Sequence, residues 1–283
     1  VTRGEPAYPE RLHHLPLPPP VLAVRGTLPE GPAVAIVGSR RADAYGREVA
    51  ELFAVQLAAA GVAVVSGFAR GIDATAHRGA LAAPTGTTVA VLGCGLGVDY
   101  PAGHRALGDE IARCGAVVSE LPCGATPRAW YFPARNRVIA ALAHGTLVVQ
   151  ATLRSGSLIT ARHANDLGRD VYAVPGRIFD ERSLGTNALI RDGAQLVQHP
   201  QDVLDALAAP AVAAPPPPRL EPEPPDGLAG DVLARLSRGT EQTAEELARI
   251  LGCEVDGVLA ALLELELAGL LVRRPGSTYT RRI

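Results

Sequence analysis

"VAIVGSRRADAYGREVAELFAVQLAAAGVAVVSG", residues 34–67, decides the fold. Its two ends, "VAIVG" (34–38) and "VAVVS" (62–66), are apolar runs without polar alternation, so each reads as a strand covered on both faces. Between them "YGREVAELFAVQLAAAG" (45–61) carries Val49, Phe53 and Leu57 at every fourth position, one apolar stripe of a helix. Strand, helix and strand with both strands buried is the parallel crossover unit. Further runs of the same kind follow at "TVAVLG" (88–93), "AVVSE" (116–120), "TLVVQ" (146–150) and "DVYAV" (170–174). The pattern predicts a doubly wound, mostly parallel α/β sheet over residues 33–208. Its ligands are expected beyond the carboxyl ends of the strands.

Outside that block the material changes. Residues 1–32 are Pro-rich and read as an extended lead-in with one strand near "VLAVRG". Residues 209–227, "APAVAAPPPPRLEPEPPDG", read as an extended, semi-rigid linker. Residues 228–283 carry a capping box, Thr243 with Glu246, which opens a helix that stops at Gly252. A second helix runs through Leu259, Leu262, Leu263 and Leu267, and "LLVRRPGSTYTR" reads as a hairpin turning at Pro275 and Gly276. That order of helices followed by a hairpin is a winged helix.

Composition removes several classes of function. All 27 basic residues are Arg and there is no Lys, so a phosphate loop that needs its Lys and a Schiff-base enzyme that needs an amine are both unsupported. Cys94, Cys114, Cys123 and Cys253 are scattered without metal-ligand spacing, so they read as small buried hydrophobes; neither a metal site nor a disulfide framework is expected. His77, His104, His144 and His163 lack a nucleophile motif, and no carboxylate pair stands beside the Arg-rich segment at 135–137, so no catalytic residue is assigned. No dinucleotide fingerprint follows the first strand, and no cofactor is expected. A net charge of -2 gives no global electrostatic signature, so any anion site is local. No apolar run approaches the roughly 18 residues of a membrane span, and the first residues lack signal-peptide character, so the expected compartment is the cytoplasm. With Val1 at the start and no Met anywhere, the native start is expected to precede this sequence.

Four stretches could hold an anion at one sheet edge. After the first strand, Ser39 and Arg40 follow the turn at Gly38, with Asp43 as a helix cap. After the second, "SGFARGIDATAH" offers amides at Gly67 and Gly71, with Arg70 between them and Asp73 as the next cap. After the fifth, Ser155, Gly156 and Ser157 open a helix whose first amides lack helical partners. In "YFPARNRV" (131–138), Pro133 suits a first helical turn, so Arg135, Asn136 and Arg137 fall where cations oppose the helix dipole unless an anion is bound. Phe132 adds a flat face for a base. Each turn taken alone also reads as simple capping. Together they describe a site for a nucleotide strand.

In this order and spacing, "GSRRADAYG", "SGFARGIDATAH", "FPARNRVIAAL", "RSGSLITARHA", "VYAVPG" and "GTNALIRDGA" resemble the DNA-processing protein A family, DprA or Smf. The resemblance covers residues 7–207, and the last segment is similar to the winged-helix domain that many members carry. It implies an extended Rossmann-like fold that binds single-stranded DNA, forms a homodimer and helps load the RecA recombinase during DNA recombination in natural transformation and competence. Single-strand-binding protein is a further implied partner, and the family is not known as enzymatic. Carried over to this sequence, the nucleic-acid-binding residues would be Ser39, Arg40, Gly67, Arg70, Phe132, Arg135, Asn136, Arg137, Ser155, Gly156 and Ser157. Gln150 stands where members usually show an acidic residue, and Arg70 where Lys is also common. The small helical domain that precedes the core in many members is expected to be absent or truncated.

Two other readings compete with this one. A phosphoribohydrolase-like enzyme would need P-G-G-x-G-T-x-x-E where "RSGSLITARHA" stands. A winged-helix transcription regulator would need a basic recognition helix. The segment 254–271 instead carries Glu254, Asp256, Glu264 and Glu266 and no cation, so phosphate repels it and it is expected to contact protein. Arg273, Arg274, Arg281 and Arg282 are the wing's only expected DNA contacts.

Overall fold

Each of the six apolar runs contains a strand in the computed structural model, which describes residues 1–207, 227–236, 241–268, 270–274 and 276–281. They are β2 (Ala33–Val37), β3 (Ala63–Ser66), β4 (Thr88–Val91), β5 (Ala116–Ser119), β6 (Gly145–Val148) and β7 (Asp170–Ala173). All but β7 are buried at every position, as strands covered on both faces must be. Two short strands complete the sheet: β1 (Ala23–Gly26) runs antiparallel on β5, and β8 (Gln195–Leu196) runs parallel on β7. The order is β1-β5-β4-β3-β2-β6-β7-β8.

The helices between strands are α1 (Ala44–Ala59), α2 (Ile72–Ala82), α3 (Arg105–Cys114), α4 (Tyr131–Leu142) and α5 (Ser157–Asp166), followed by α6 (Glu181–Arg191) and α7 (Pro200–Ala206). Asp43 caps α1 as expected, accepting the Gly46 N–H at 2.9 Å. Val49, Phe53 and Leu57 are the buried stripe of that helix.

The lead-in is more than extended chain. A 3-10 turn at Glu10–His14 buries Leu12, and Tyr8, Leu15 and Leu22 join the cluster formed by Val138, Ile139 and Leu142 of α4. The Tyr8 hydroxyl donates to Pro19 O at 2.7 Å, which lets the phenol be buried. The cysteines also depart from expectation: Cys94 is buried and Cys253 half-buried, but Cys114 and Cys123 are exposed.

The described residues form two units, the second with its own sheet and core. It contains α8 (Leu228–Arg235), β9 (Gln242–Thr243), α9 (Ala244–Leu251), α10 (Val255–Leu267), β10 (Leu271–Arg274) and β11 (Thr278–Arg281). The Thr243–Glu246 capping box is made in both directions, and Gly252 ends α9 in the left-handed conformation. Val258, Leu262 and Leu265 face the core, whereas Leu259, Leu263 and Leu267 are exposed beside Asp256 and Glu264. The expected hairpin is β10 with β11, in register Leu271 to Arg281. Pro275 and Arg282 lie outside the described residues, as does the proline-rich stretch 209–227 apart from Gly227, which precedes α8. No helix among the described residues is long and apolar enough to cross a membrane.

Candidate functional site

The direction of winding reverses between β2 and β6. From β2 the chain steps through β3 and β4 to β5 on one side, then crosses by α4 to β6, β7 and β8 on the other. At such a switch point the loops after the two strands diverge and leave a crevice at the carboxyl edge. Here the loop 38–41 leaves β2 and the loop 149–156 leaves β6, with the first turns of α4 between them.

A cavity of about 690 Å³ occupies the crevice, lined among others by Ser39, Arg40, Asp73, Tyr100, Phe132, Arg135, Asn136, Ser155, Gly156 and Ser157. A neighbouring cavity of about 580 Å³ is lined by Arg40, Arg41, Gly67, Arg70, Tyr100 and Phe132, among others. Arg40, Tyr100 and Phe132 wall both. Every residue expected at the site lines one cavity or the other except Arg137.

Gly71 holds two of the loops together. Its φ of +79° is a conformation that side chains resist, and an added Cβ would stand 2.3 Å from Ser39 O. The approach lets Ile72 N–H reach Ser39 O at 3.1 Å, pinning Ser39 and Arg40 against the Gly67–Gly71 loop. Phe68 takes φ +60° within that loop, a strained choice for an aromatic residue. Its buried ring is fixed by His104 at 5.3 Å and His77 at 5.9 Å between centroids. The Arg70 side chain is left exposed at the cavity rim.

The two arginines of α4 separate. Arg135 is buried and donates to Gly67 O at 2.8 Å and to Val91 O, bracing α4 against the carboxyl ends of β3 and β4. Burial lowers its pKa to about 10, partly opposed by Asp73, so it remains a cation at neutral pH. Arg137 points elsewhere: it pairs with Glu120 and donates to Leu17 O at 3.0 Å. The expected conflict with the helix dipole is therefore relieved inside the protein, by carbonyls and one carboxylate, without a bound anion.

Asp73 also differs from expectation. Gly71 holds the N-cap position, and Asp73 lies within the first turn of α2, accepting the Ala69 N–H at 3.2 Å. Burial raises its carboxyl pKa, with Arg135 and that N–H opposing. Asn136 donates to Gly156 O at 3.0 Å and so ties α4 to the turn that opens α5. In that turn Ser155 Oγ lies 2.7 Å from Ser157 Oγ, and the N–H groups of Leu158 and Ile159 close back on Ser155 O and Gly156 O. Part of the amide supply expected for an anion is thus spent on the turn itself.

Phe132 is held from several sides. A Cβ at Gly93 would stand 2.6 Å from its ring, the Tyr100 ring centroid is 5.3 Å away, and the Arg40 guanidinium carbon sits 5.3 Å from the ring centroid. Such a cation–π contact at an exposed site contributes only about 0.5–1 kcal/mol, so a base can take the ring face and free Arg40 for phosphate. Sequence reading missed Tyr100 as part of this corner, although "GVDYPAGH" (97–104) places an aromatic in the glycine-rich loop after a strand. It also missed Trp130, exposed and tilted against Tyr131 with ring centroids 4.0 Å apart. No group of three or more His, Cys, Asp or Glu among the described residues could hold a metal ion.

His77, fully buried beneath Phe68, has Nδ1 2.7 Å from Thr88 Oγ1, and its Nε2 has no hydrogen-bond partner among the described residues. Burial pushes its pKa down to about 3. Because the folded pKa is depressed, its share of stability is complete above the unfolded value near 6.5 and is lost as pH falls towards 3. His77→Gln is expected to flatten the denaturant-derived stability profile over that interval; an unchanged slope contradicts the assignment.

The family profile of DNA recombination-mediator protein A matches residues 1–208, and that of the DprA winged helix domain matches 213–277. Protein Smf of Escherichia coli K12 is 42% identical over 255 residues, covering 88% of this chain and 67% of its own length. The crystal structure of DNA processing protein A from Streptococcus pneumoniae superposes with a TM-score of 0.68 at 41% identity, covering 72% of each chain. The Helicobacter pylori protein of the same name, known for a unique single-stranded DNA binding mode, gives 0.64 at 32% identity over 71% of this chain and 92% of its own. With the reversal of the sheet, the crevice at its carboxyl edge and these matches in agreement, the chain belongs to the DNA recombination-mediator protein A family.

Proposed function

We propose that this chain grips single-stranded DNA in the crevice at the β2/β6 reversal, without sequence preference, and acts as a recombination mediator in the cytoplasm. The observation that carries the reading is the Phe132–Tyr100 aromatic corner, with exposed Arg40 and Arg70 on its flanks. Guanidinium groups, hydroxyls and aromatic faces engage any nucleotide, since every base has a π-face and every linkage a phosphate. The buried Arg135 adds positive potential from beneath. Ser39, Asn136 and the Ser155–Ser157 turn form the far wall of the same cavity.

Binding, not catalysis, suits this chemistry: Asp73 is tied to a backbone N–H and His77 is sealed beneath Phe68. Membership of the family supports the further steps, in which a homodimer hands its strand to RecA, with single-strand-binding protein as the competitor to be displaced. The test is a salt titration of binding to an unstructured oligonucleotide, paired with RecA filament formation on strands coated by single-strand-binding protein. The logarithm of affinity is expected to fall linearly with the logarithm of salt, by about 0.7 per phosphate contacted, and the chain is expected to shorten the lag in filament growth. A salt-independent affinity rejects the binding site; an unaltered lag rejects the mediator role alone.

A further inference from the structure

Phe179 is 94% exposed and its neighbour Ile178 72%, the two largest departures from burial among the large apolar residues of the first unit apart from Leu17. The turn that displays them is built to stay open. Asp180 N–H closes on Arg177 O at 3.1 Å, and Asp180 caps α6 by accepting the Arg182 N–H at 3.0 Å. Behind the turn, Asn187 clasps Gly176 both ways, accepting from its N–H at 3.1 Å and donating to its carbonyl at 3.0 Å. An apolar ring held in water by a pinned turn is ready for a ligand without further ordering.

The surroundings indicate which ligand. A surface cavity of about 970 Å³ is lined by Arg41, Arg177, Phe179 and Arg182 together with the carboxylates Asp180 and Glu181, and it shares Ser39, Arg40 and Thr152 with the crevice, so four guanidinium groups face two carboxylates. Arg182 is paired with Asp180 at 3.1 Å, whereas Arg40, Arg41 and Arg177 form no ion pair with a described residue. A sill of Ser39, Arg40 and Thr152 with cations beyond it and an aromatic face at its far end repeats the chemistry of the first cavity.

We propose that Phe179, with Arg41 and Arg177, forms a second nucleotide subsite that receives the strand as it leaves the crevice over Thr152. The proposal rests on the single-strand reading of the crevice. It lengthens the site beyond the crevice, with one more stacked base and its phosphates. A protein surface is the competing occupant, but Arg41 and Arg177, which form no salt bridge with a described residue, add to Arg40 and give the cavity more cations than carboxylates, which favours a polyanion.

The test uses the full chain and a series of oligothymidylates of increasing length, followed by fluorescence anisotropy. Phe179→Ala is expected to leave the shortest oligonucleotides that bind within about twofold of the parent, and to lose about fivefold or more for longer ones, the effect of one stacked base. Arg177→Ala is expected to lower the salt slope by about 0.7 for the longer strands only. Both positions are exposed, so unchanged thermal midpoints are the control for folding. If both variants follow the parent at every length, the second subsite is overturned while the crevice stands. If Phe179→Ala changes self-association at unaltered DNA affinity, the patch is a protein contact and the proposal falls. A parent chain that binds no oligonucleotide overturns the crevice reading, and this subsite with it.

Discussion

Phe132→Ala is expected to weaken binding of an unstructured single strand by roughly 5- to 150-fold, the range that about 1–3 kcal/mol of stacking per base implies. The salt slope should stay near the parent's, because the ring neutralises no phosphate. Arg70→Ala is expected to do the opposite, lowering the slope by about 0.7 with a smaller loss at physiological salt. Arg40→Ala should show both signatures, since its guanidinium lies against the Phe132 ring and is exposed to solvent at the cavity mouth. Salt-dependent fluorescence anisotropy resolves the three. A Phe132→Ala variant with parental affinity contradicts the aromatic corner as the seat of the strand.

Arg135→Ala is expected to act on the fold. The substitution strips Gly67 O and Val91 O of their donor and leaves Asp73 buried without its nearest cation. Breaking a buried charged network in this way costs about 3–5 kcal/mol, and for a domain of this size the thermal midpoint should drop by on the order of 10 °C. Lys is a poor replacement, because one ammonium lacks the planar fork that reaches two strand ends. Arg137→Ala should cost less than Arg135→Ala, because its pair with Glu120 keeps some contact with solvent whereas Arg135 is buried. Calorimetry of the two variants separates them; equal and small shifts would show that Arg135 is not a brace.

The two arginines also mark the limit of what the sequence made legible. Both belong to one short segment, and only the face of α4 that meets the core distinguishes them. Arg135 shares a stripe with Ile139 and Leu142 at helical spacing, so it turns inward, whereas Arg137 lies off that stripe. The spacing was present but was read for charge instead of for direction. The strands were legible because each is an uninterrupted apolar run, and Asp43, Thr243 and Gly252 because capping is local chemistry. The burial of Leu12 and Leu22 in the lead-in was hidden, since it depends on α4 passing nearby, more than a hundred residues away. The two-residue β8 leaves no run to detect. Tyr100 and Phe179 were missed for a related reason: they are single aromatics in loops, and their significance comes from the neighbours the fold gives them.

The location of the strand is tested most directly by photocrosslinking. An oligonucleotide bearing 5-iododeoxyuridine at successive positions is irradiated with the full chain, and the attached peptides are identified by mass spectrometry. Crosslinks at Phe132 and Tyr100 are expected. Crosslinks confined to residues 228–283 would contradict the crevice as the binding site.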